Sequence, residues 1–263
     1  MFWETRSIFT QLTVWQTLVL GLALLGGCQE TLPPPRLTSQ AASRVGPLPG
    51  QWRIAGWSVE QRPLMLKEFG NGRDVVFFLA GIHGDETAGI LLVDELARYL
   101  DRHLELLEGR KVLVMPRANP DGLAERTRQN IRGVDLNRNF PANNRTNGPE
   151  AGEIPLSEPE AWAIWQVIHQ YRPSRVISVH QPLGCVDYDG PGEAIAQAMS
   201  EACGLPVRKL GARPGSLGSY GQQIQGIPIV TLELPEEDSG LDGPQLWARY
   251  GKALLVAITW QGR

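Results

Sequence analysis

The chain has 263 residues, of which 42% are hydrophobic and 20% charged, and a formal net charge of −3. That balance fits an ordinary globular protein with one core of about 210 residues once an unusual N-terminus is set aside. The small negative charge, with no basic block, excludes nucleic acid as the main partner, although local arginines can still hold an anionic substrate.

The first thirty residues stand apart. "LVLGLALLGGC" is an apolar run too short for a comfortable transmembrane helix, and Arg6 precedes it. It ends in Leu25-Gly26-Gly27-Cys28, which resembles the lipobox of a bacterial lipoprotein signal. The resemblance implies a signal peptide over 1–27, a lipid on Cys28 and an exported protein anchored to a membrane of the cell envelope. An ordinary N-terminal anchor or signal peptide is the alternative. Residues 28–50, rich in proline, then read as a tether to a domain over 51–263. With Cys28 lipidated, Cys185 and Cys203 remain. An exported pair can form a disulfide worth about 3 kcal/mol, but two separate buried thiols are the preferred reading.

Within the domain, "RIAGWSVE" and "PLMLKEF" read as strands joined in a hairpin around Gln61-Arg62. "VVFFLA" (75–80) is β-branched, aromatic and uncharged, a buried strand, and a helix follows over 86–101 with Ile90, Leu91, Val93, Leu96 and Leu100 on one broad face. "KVLVMP" is another buried strand. From Pro116 to Pro155 no period is visible, and a loop of that length in a compact domain is usually functional or disordered. "LSEPEAWAIWQVIHQYRP" restarts a helix, with Ser157 and Glu160 spaced as a capping box. "RVISVH" is a strand closed by a turn at "QPLG", 191–203 a helix, "GIPIVTLELP" a strand, and "GPQLWARYGKALLVAITW" a closing amphipathic helix. The alternation predicts a three-layer α/β/α sandwich around a mixed, mainly parallel sheet.

The polar groups collect at the ends of these strands. His83 and Glu86, spaced i and i+3 across a strand-to-helix turn, can point at one spot above the sheet. They suit two ligands of a zinc site; a helix-capping carboxylate beside a surface histidine is the bland alternative. Of the four histidines, His103 lies among charged residues and His169 within a helix. His180 ends a strand on the same edge as His83 and is the candidate third ligand. Glu233 stands at the end of an apolar strand, where a carboxylate is costly unless it is paired, solvated or used. Near a metal-activated water it would be the general base. In "RTRQNIRGVDLNRNFP", Arg138 with Asn137 suits a substrate carboxylate, and Arg128 a tetrahedral oxyanion.

Taken in order, "HGDE", "RQNIRGVDLNRNFP", "SVHQPLG" and "TLELP" resemble the motifs of the zinc metallocarboxypeptidases, the carboxypeptidase A-like family, over about residues 60–258. The resemblance implies a carboxypeptidase-like fold and one Zn²⁺ held by His83, Glu86 and His180. It implies Asp135 orienting His83, Arg128 at the oxyanion, Asn137 and Arg138 at the substrate's terminal carboxylate, and Glu233 as the base on a zinc-bound water. "HQPLG", "ARPGSLGSYG" and "IPIVTLELP" are most similar to the murein peptide amidase branch, which implies a peptidoglycan-derived peptide cut at the γ-D-glutamyl–meso-diaminopimelate bond. The tyrosine that pancreatic-type members place before the base has no counterpart at the right spacing, and Tyr220 takes no role. The alternatives are an N-acyl amino-acid deacylase of the aspartoacylase-like branch, a general carboxypeptidase, and a non-catalytic binding lipoprotein.

Overall fold

In the computed structural model, which describes residues 50–223 and 226–262, the hydrophobic runs become a single seven-stranded sheet. β1 (Gln51–Trp57) and β2 (Pro63–Gly70) form the expected hairpin. β3 (Asp74–Ala80), β4 (Arg110–Met115), β5 (Arg175–His180), β6 (Leu183–Asp189) and β7 (Ile229–Pro235) complete the order β1-β2-β4-β3-β5-β7-β6. β4, β3, β5 and β7 run parallel, and the pairs β1–β2, β2–β4 and β6–β7 are antiparallel. The sheet is therefore mixed, with a parallel centre.

Strands covered on both faces favour apolar residues at successive positions, which is why β3 reads as an unbroken apolar run after Asp74 and β5 is apolar between Arg175 and His180 except at Ser178. On one face Val76, Phe78, Ile177, Val179 and Leu232 pack under α1 (Thr87–Leu100), α4 (Glu193–Cys203) and α6 (Gly243–Thr259). On the other, Phe77, Leu79 and Leu113 meet Ile164 of α3 (Pro159–Tyr171), Leu217 of α5 (Leu217–Gln223), and Leu136 and Phe140 of the long connection. Each such side chain, fully buried, contributes roughly 1.5–3 kcal/mol. The three layers are those expected.

The connections decide where a ligand fits. From β3 the chain crosses through α1 to β4 on one side, and later returns through α3 to β5 on the other side. The carboxyl ends of β3 and β5 thus flank a topological switch point, the crevice where open α/β sheets bind ligands.

Three expectations change. "LGCVDYD" is a strand, β6, rather than part of a turn. The long connection contains α2 (Pro120–Glu125), capped by the Asn119 side chain, which accepts from the Gly122 amide. The Ser157–Glu160 capping box does not form, because Pro159 starts the helix one residue later, at a Glu158 cap. Ser157 Oγ instead accepts from Asn139 and donates to Glu158, while Glu160 accepts from the Val59 amide. Among the described residues, a capping box does form between Asp242 and Gln245, at the start of α6. Cys185 and Cys203 are separate thiols, as preferred. Cys28, the signal segment and most of the tether lie outside the described residues. Among the described residues, no helix is long and apolar enough to cross a membrane.

Candidate metal and catalytic site

β3 ends at Ala80, and Gly81, at a φ of +64°, turns the chain toward α1. His83 and Glu86 sit on this turn, 3% and 7% exposed. Glu86 occupies the N-cap position of α1 but makes no side-chain capping bond, so the helix-cap alternative does not hold. Its carboxylate turns across the crevice instead. Gly84 makes the turn possible: a Cβ there would stand 2.0 Å from the Gly122 carbonyl carbon and 2.3 Å from the Leu123 nitrogen, both backbone atoms of α2. Gly84→Ala must push α2 away or move His83, and should lower unfolding free energy by about 1–3 kcal/mol. A urea melt unchanged from wild type would contradict this packing.

Three donors converge. His83 Nδ1 lies 2.7 Å from Glu86 Oε1, His180 Nδ1 2.8 Å from Glu86 Oε2, and the two Nδ1 atoms 3.2 Å apart. Around them is a supporting shell. Asp135, 1% exposed, accepts from His83 Nε2 at 3.2 Å through one oxygen and from Arg128 through the other at 3.1 and 3.2 Å. The Gln181 amide donates to Glu86 Oε2 at 3.2 Å, and the Gln181 side-chain oxygen accepts from the Ala88 amide.

The field at this point favours positive charge. Burial works against ionisation of Glu86, but His180 and His83 outweigh it and hold the carboxyl at about 2. Burial likewise opposes a charged His83, yet Asp135 and Glu86 push it up to about 9. The donor set fits zinc: two imidazole nitrogens and one carboxylate, with donors close to the ~3.4 Å separation of tetrahedral zinc ligands. The free ring nitrogen of His83 is fixed by a carboxylate, as metal-bound histidines commonly are.

Glu233 joins through the sheet. Register pairs it with His180 on β5 and with Cys185 on β6. Its Oε2 is buried and has no hydrogen-bond partner. Burial raises its pKa; His180 opposes the rise and Glu86 adds to it. Asp135 also opens the short 3-10 turn Leu136–Arg138, accepting from the Asn137 amide at 2.9 Å. Asn137 Oδ1 accepts from the Leu217 amide at 2.9 Å, and Arg138 donates to the Asn137 carbonyl at 2.7 Å. The structure places His83, Glu86, Arg128, Asn137, Arg138, His180 and Glu233 on the walls of one cleft.

The other candidates lie elsewhere. Tyr220 is buried against Phe140, with its hydroxyl pushed up to about 12 by burial, and does not line the cleft. His103 stacks on Tyr99 and contacts Glu105; His169 packs on Trp165. The residues that the sequence reading passed over are Gln181, Ser178, Asp187 and Asp189, all lining the cleft. Only the alternation of acids at 187 and 189 signalled the last two.

Comparison with known proteins agrees with this geometry. The zinc carboxypeptidase family model matches residues 51–184, a span that includes the histidine and arginine positions and stops before Glu233. Murein peptide amidase A of Escherichia coli K12 is 34% identical over 181 residues, covering 62% of this chain and 72% of that protein. The Vibrio campbellii protein of the same name is 34% identical over 216 residues, covering 75% and 83%. Among solved structures, murein-tripeptide amidase MpaA from E. coli O157 superposes with a TM-score of 0.62 at 26% identity, over 86% of this chain and 98% of that one. Carboxypeptidase A from Helicoverpa armigera shares the fold, with a TM-score of 0.70 at 19% identity over 79% and 67%.

Proposed function

The chain belongs to the zinc carboxypeptidase family, and from that premise we propose that it hydrolyses the γ-D-glutamyl–meso-diaminopimelate bond of peptidoglycan peptides. The likeness to murein peptide amidase A, together with an unpartnered Glu233 oxygen on the cleft that also holds the His83–Glu86–His180 cluster, carries this reading.

In this reading His83, Glu86 and His180 hold the metal, and Asp135 fixes the tautomer of His83. When bound, zinc supplies a Lewis acid that polarises the scissile carbonyl and lowers the pKa of the attacking water. Glu233 takes a proton from that water at its unpartnered Oε2 and returns it to the leaving amine. Burial makes this carboxylate a stronger base than an exposed one. Arg128, steadied by Asp135, offers N–H groups to the developing oxyanion. Arg138 and Asn137 hold the free carboxylate of the residue beyond the cut, which favours cleavage near a chain end.

The test is to incubate the full chain with L-Ala-γ-D-Glu-meso-diaminopimelate and identify products by mass spectrometry. Free diaminopimelate and the dipeptide are expected. Faster hydrolysis of N-acetyl-aspartate would replace this reading with a deacylase, and faster hydrolysis of a C-terminal hydrophobic dipeptide with a general carboxypeptidase.

The Leu25-Gly26-Gly27-Cys28 segment supports export and a lipid anchor on Cys28, putting the enzyme in the cell envelope beside its polymer. Cys28→Ala should move the protein out of the membrane fraction or leave the precursor uncleaved. Unchanged processing with unchanged detergent partitioning would rule out the anchor.

A further inference from the structure

Asn130 stands between two groups that the site depends on, Arg128 two residues before it and Asp135 five residues after it. It is 3% exposed and does not line the cleft. Arg128 donates twice to one Asp135 oxygen, at 3.1 and 3.2 Å, so the ends of the 128–135 segment are clasped together. The other Asp135 oxygen holds His83. Where the clasp sits depends on the path of the chain between its ends, and that path closes around Asn130.

Asn130 uses both ends of its side-chain amide at once. Oδ1 accepts from the Arg132 and Val134 amides, each at 3.1 Å, which curls the chain back toward Asp135. The backbone follows the same curl: the Asn130 amide donates to the Val134 carbonyl and the Asn130 carbonyl accepts from Gly133, both at 2.9 Å. Nδ2 donates to Glu158 Oε2 at 2.7 Å and to Glu160 Oε2 at 3.2 Å. Those acceptors are themselves fixed. Glu158, at the cap of α3, donates its amide to Asn139 at 3.1 Å and accepts from Ser157 at 2.9 Å. Glu160, fully buried, accepts from the Val59 amide in the β1–β2 turn at 3.1 Å. Burial raises the Glu160 carboxyl, and Asn130 is among the donors that draw it back. The position needs an acceptor on one side and a donor with two hydrogens on the other. A carboxylate would accept but face two more carboxylates with no proton to give, and an apolar side chain would leave both sides unsatisfied.

We propose that Asn130 is a positioning residue for the metal site. It ties the 128–135 segment to Glu158 and Glu160, and so sets Asp135 against His83 and Arg128 against Asp135. This rests on the reading of His83, Glu86 and His180 as metal ligands, and extends the machinery of that site to a buried residue outside the cleft.

Zinc affinity of the full chain, measured by competition with a chromophoric chelator, tests this without turnover. Losing the group that orients a metal-bound histidine weakens metal binding by about 10- to 100-fold, the loss expected for Asp135→Ala. Asn130→Ala should lose a large part of the same factor, because it acts through Asp135. The double variant should therefore bind zinc within about twofold of Asp135→Ala alone, whereas a residue that merely supports the fold would multiply its own loss onto that of Asp135. Asn130→Ser keeps an acceptor for the turn amides and gives up the shared donor. It should fall between wild type and Asn130→Ala, and it decides the matter if the alanine variant does not fold. Wild-type zinc affinity in either Asn130 variant, or independent losses in the double variant, would overturn the role. The readings fail separately. A wild type that binds no zinc removes the metal site and this role with it, and one that binds zinc but leaves the tripeptide uncut removes the amidase alone.

Discussion

Glu233→Gln is expected to keep its zinc and lose turnover, with kcat lower by about 10²–10⁴-fold, the usual contribution of a positioned base. The substitution preserves shape and removes the negative charge together with the ability to accept a proton. The structure adds a second signature that separates this role from a structural one. Glu233 Oε2 has no hydrogen-bond partner, and burial raises the carboxyl's pKa, so the charged form costs the native state rather than supporting it. A neutral amide in its place should leave the melting temperature unchanged or slightly higher. A carboxylate that held β7 to β5 would lower it instead. Zinc content by atomic emission, kcat on the tripeptide and a thermal melt decide the matter together. Wild-type kcat in the variant would remove Glu233 from the chemistry.

The parts of this site that the sequence made legible are those encoded locally or by strand position. His83 and Glu86 sit three residues apart on one turn, His180 ends the apolar strand β5, and Glu233 lies two residues inside the end of β7. What stayed hidden was set by partners far along the chain. β6 escaped because its cleft-facing side is Cys185, Asp187 and Asp189, and only Val186 and Tyr188 reach the core. The alternation of Val186 and Tyr188 with Asp187 and Asp189 is there, but it runs for the minimum length that marks a strand and follows directly on a proline- and glycine-containing turn. The connection after β4 is ordered by side-chain-to-backbone bonds, such as Asn119 to Gly122 and Asn139 to Ala151 and Ile154, which leave no hydrophobic period to read. Within that stretch Asn119 caps and Pro120 starts a helix too short to show a period. The capping box at Ser157 failed because Pro159 starts the helix one residue later, with Glu158 at the cap, and the Ser157 hydroxyl bonds Asn139 and Glu158 instead. Function-bearing departures from pattern are where sequence rules are expected to fail.

Removing the metal should abolish hydrolysis and also lower thermal stability, because zinc binds the folded cluster and not the unfolded chain. At 100 to 1,000 times its dissociation constant a ligand stabilises by roughly 2.7–4.1 kcal/mol, which for a domain of this size is about 5–15 °C in Tm. His180→Ala makes the prediction specific to these residues. The variant loses one of three donors and leaves Glu86, 7% exposed, without the partner that does most to lower its pKa. Its remaining contacts, His83, Arg128 and the Gln181 amide, limit the damage to about 1–3 kcal/mol, so the chain should still fold. The expected result is no hydrolysis, a melting temperature below that of the chelated wild type, and no upward shift when zinc is added. His103→Ala, at a half-buried histidine that stacks on Tyr99 away from the cleft, should keep the full zinc-dependent shift. A chelated wild type with undiminished activity would sink the zinc mechanism outright. A His180→Ala variant that still gains the full zinc-dependent stabilisation would move the metal away from His83, Glu86 and His180.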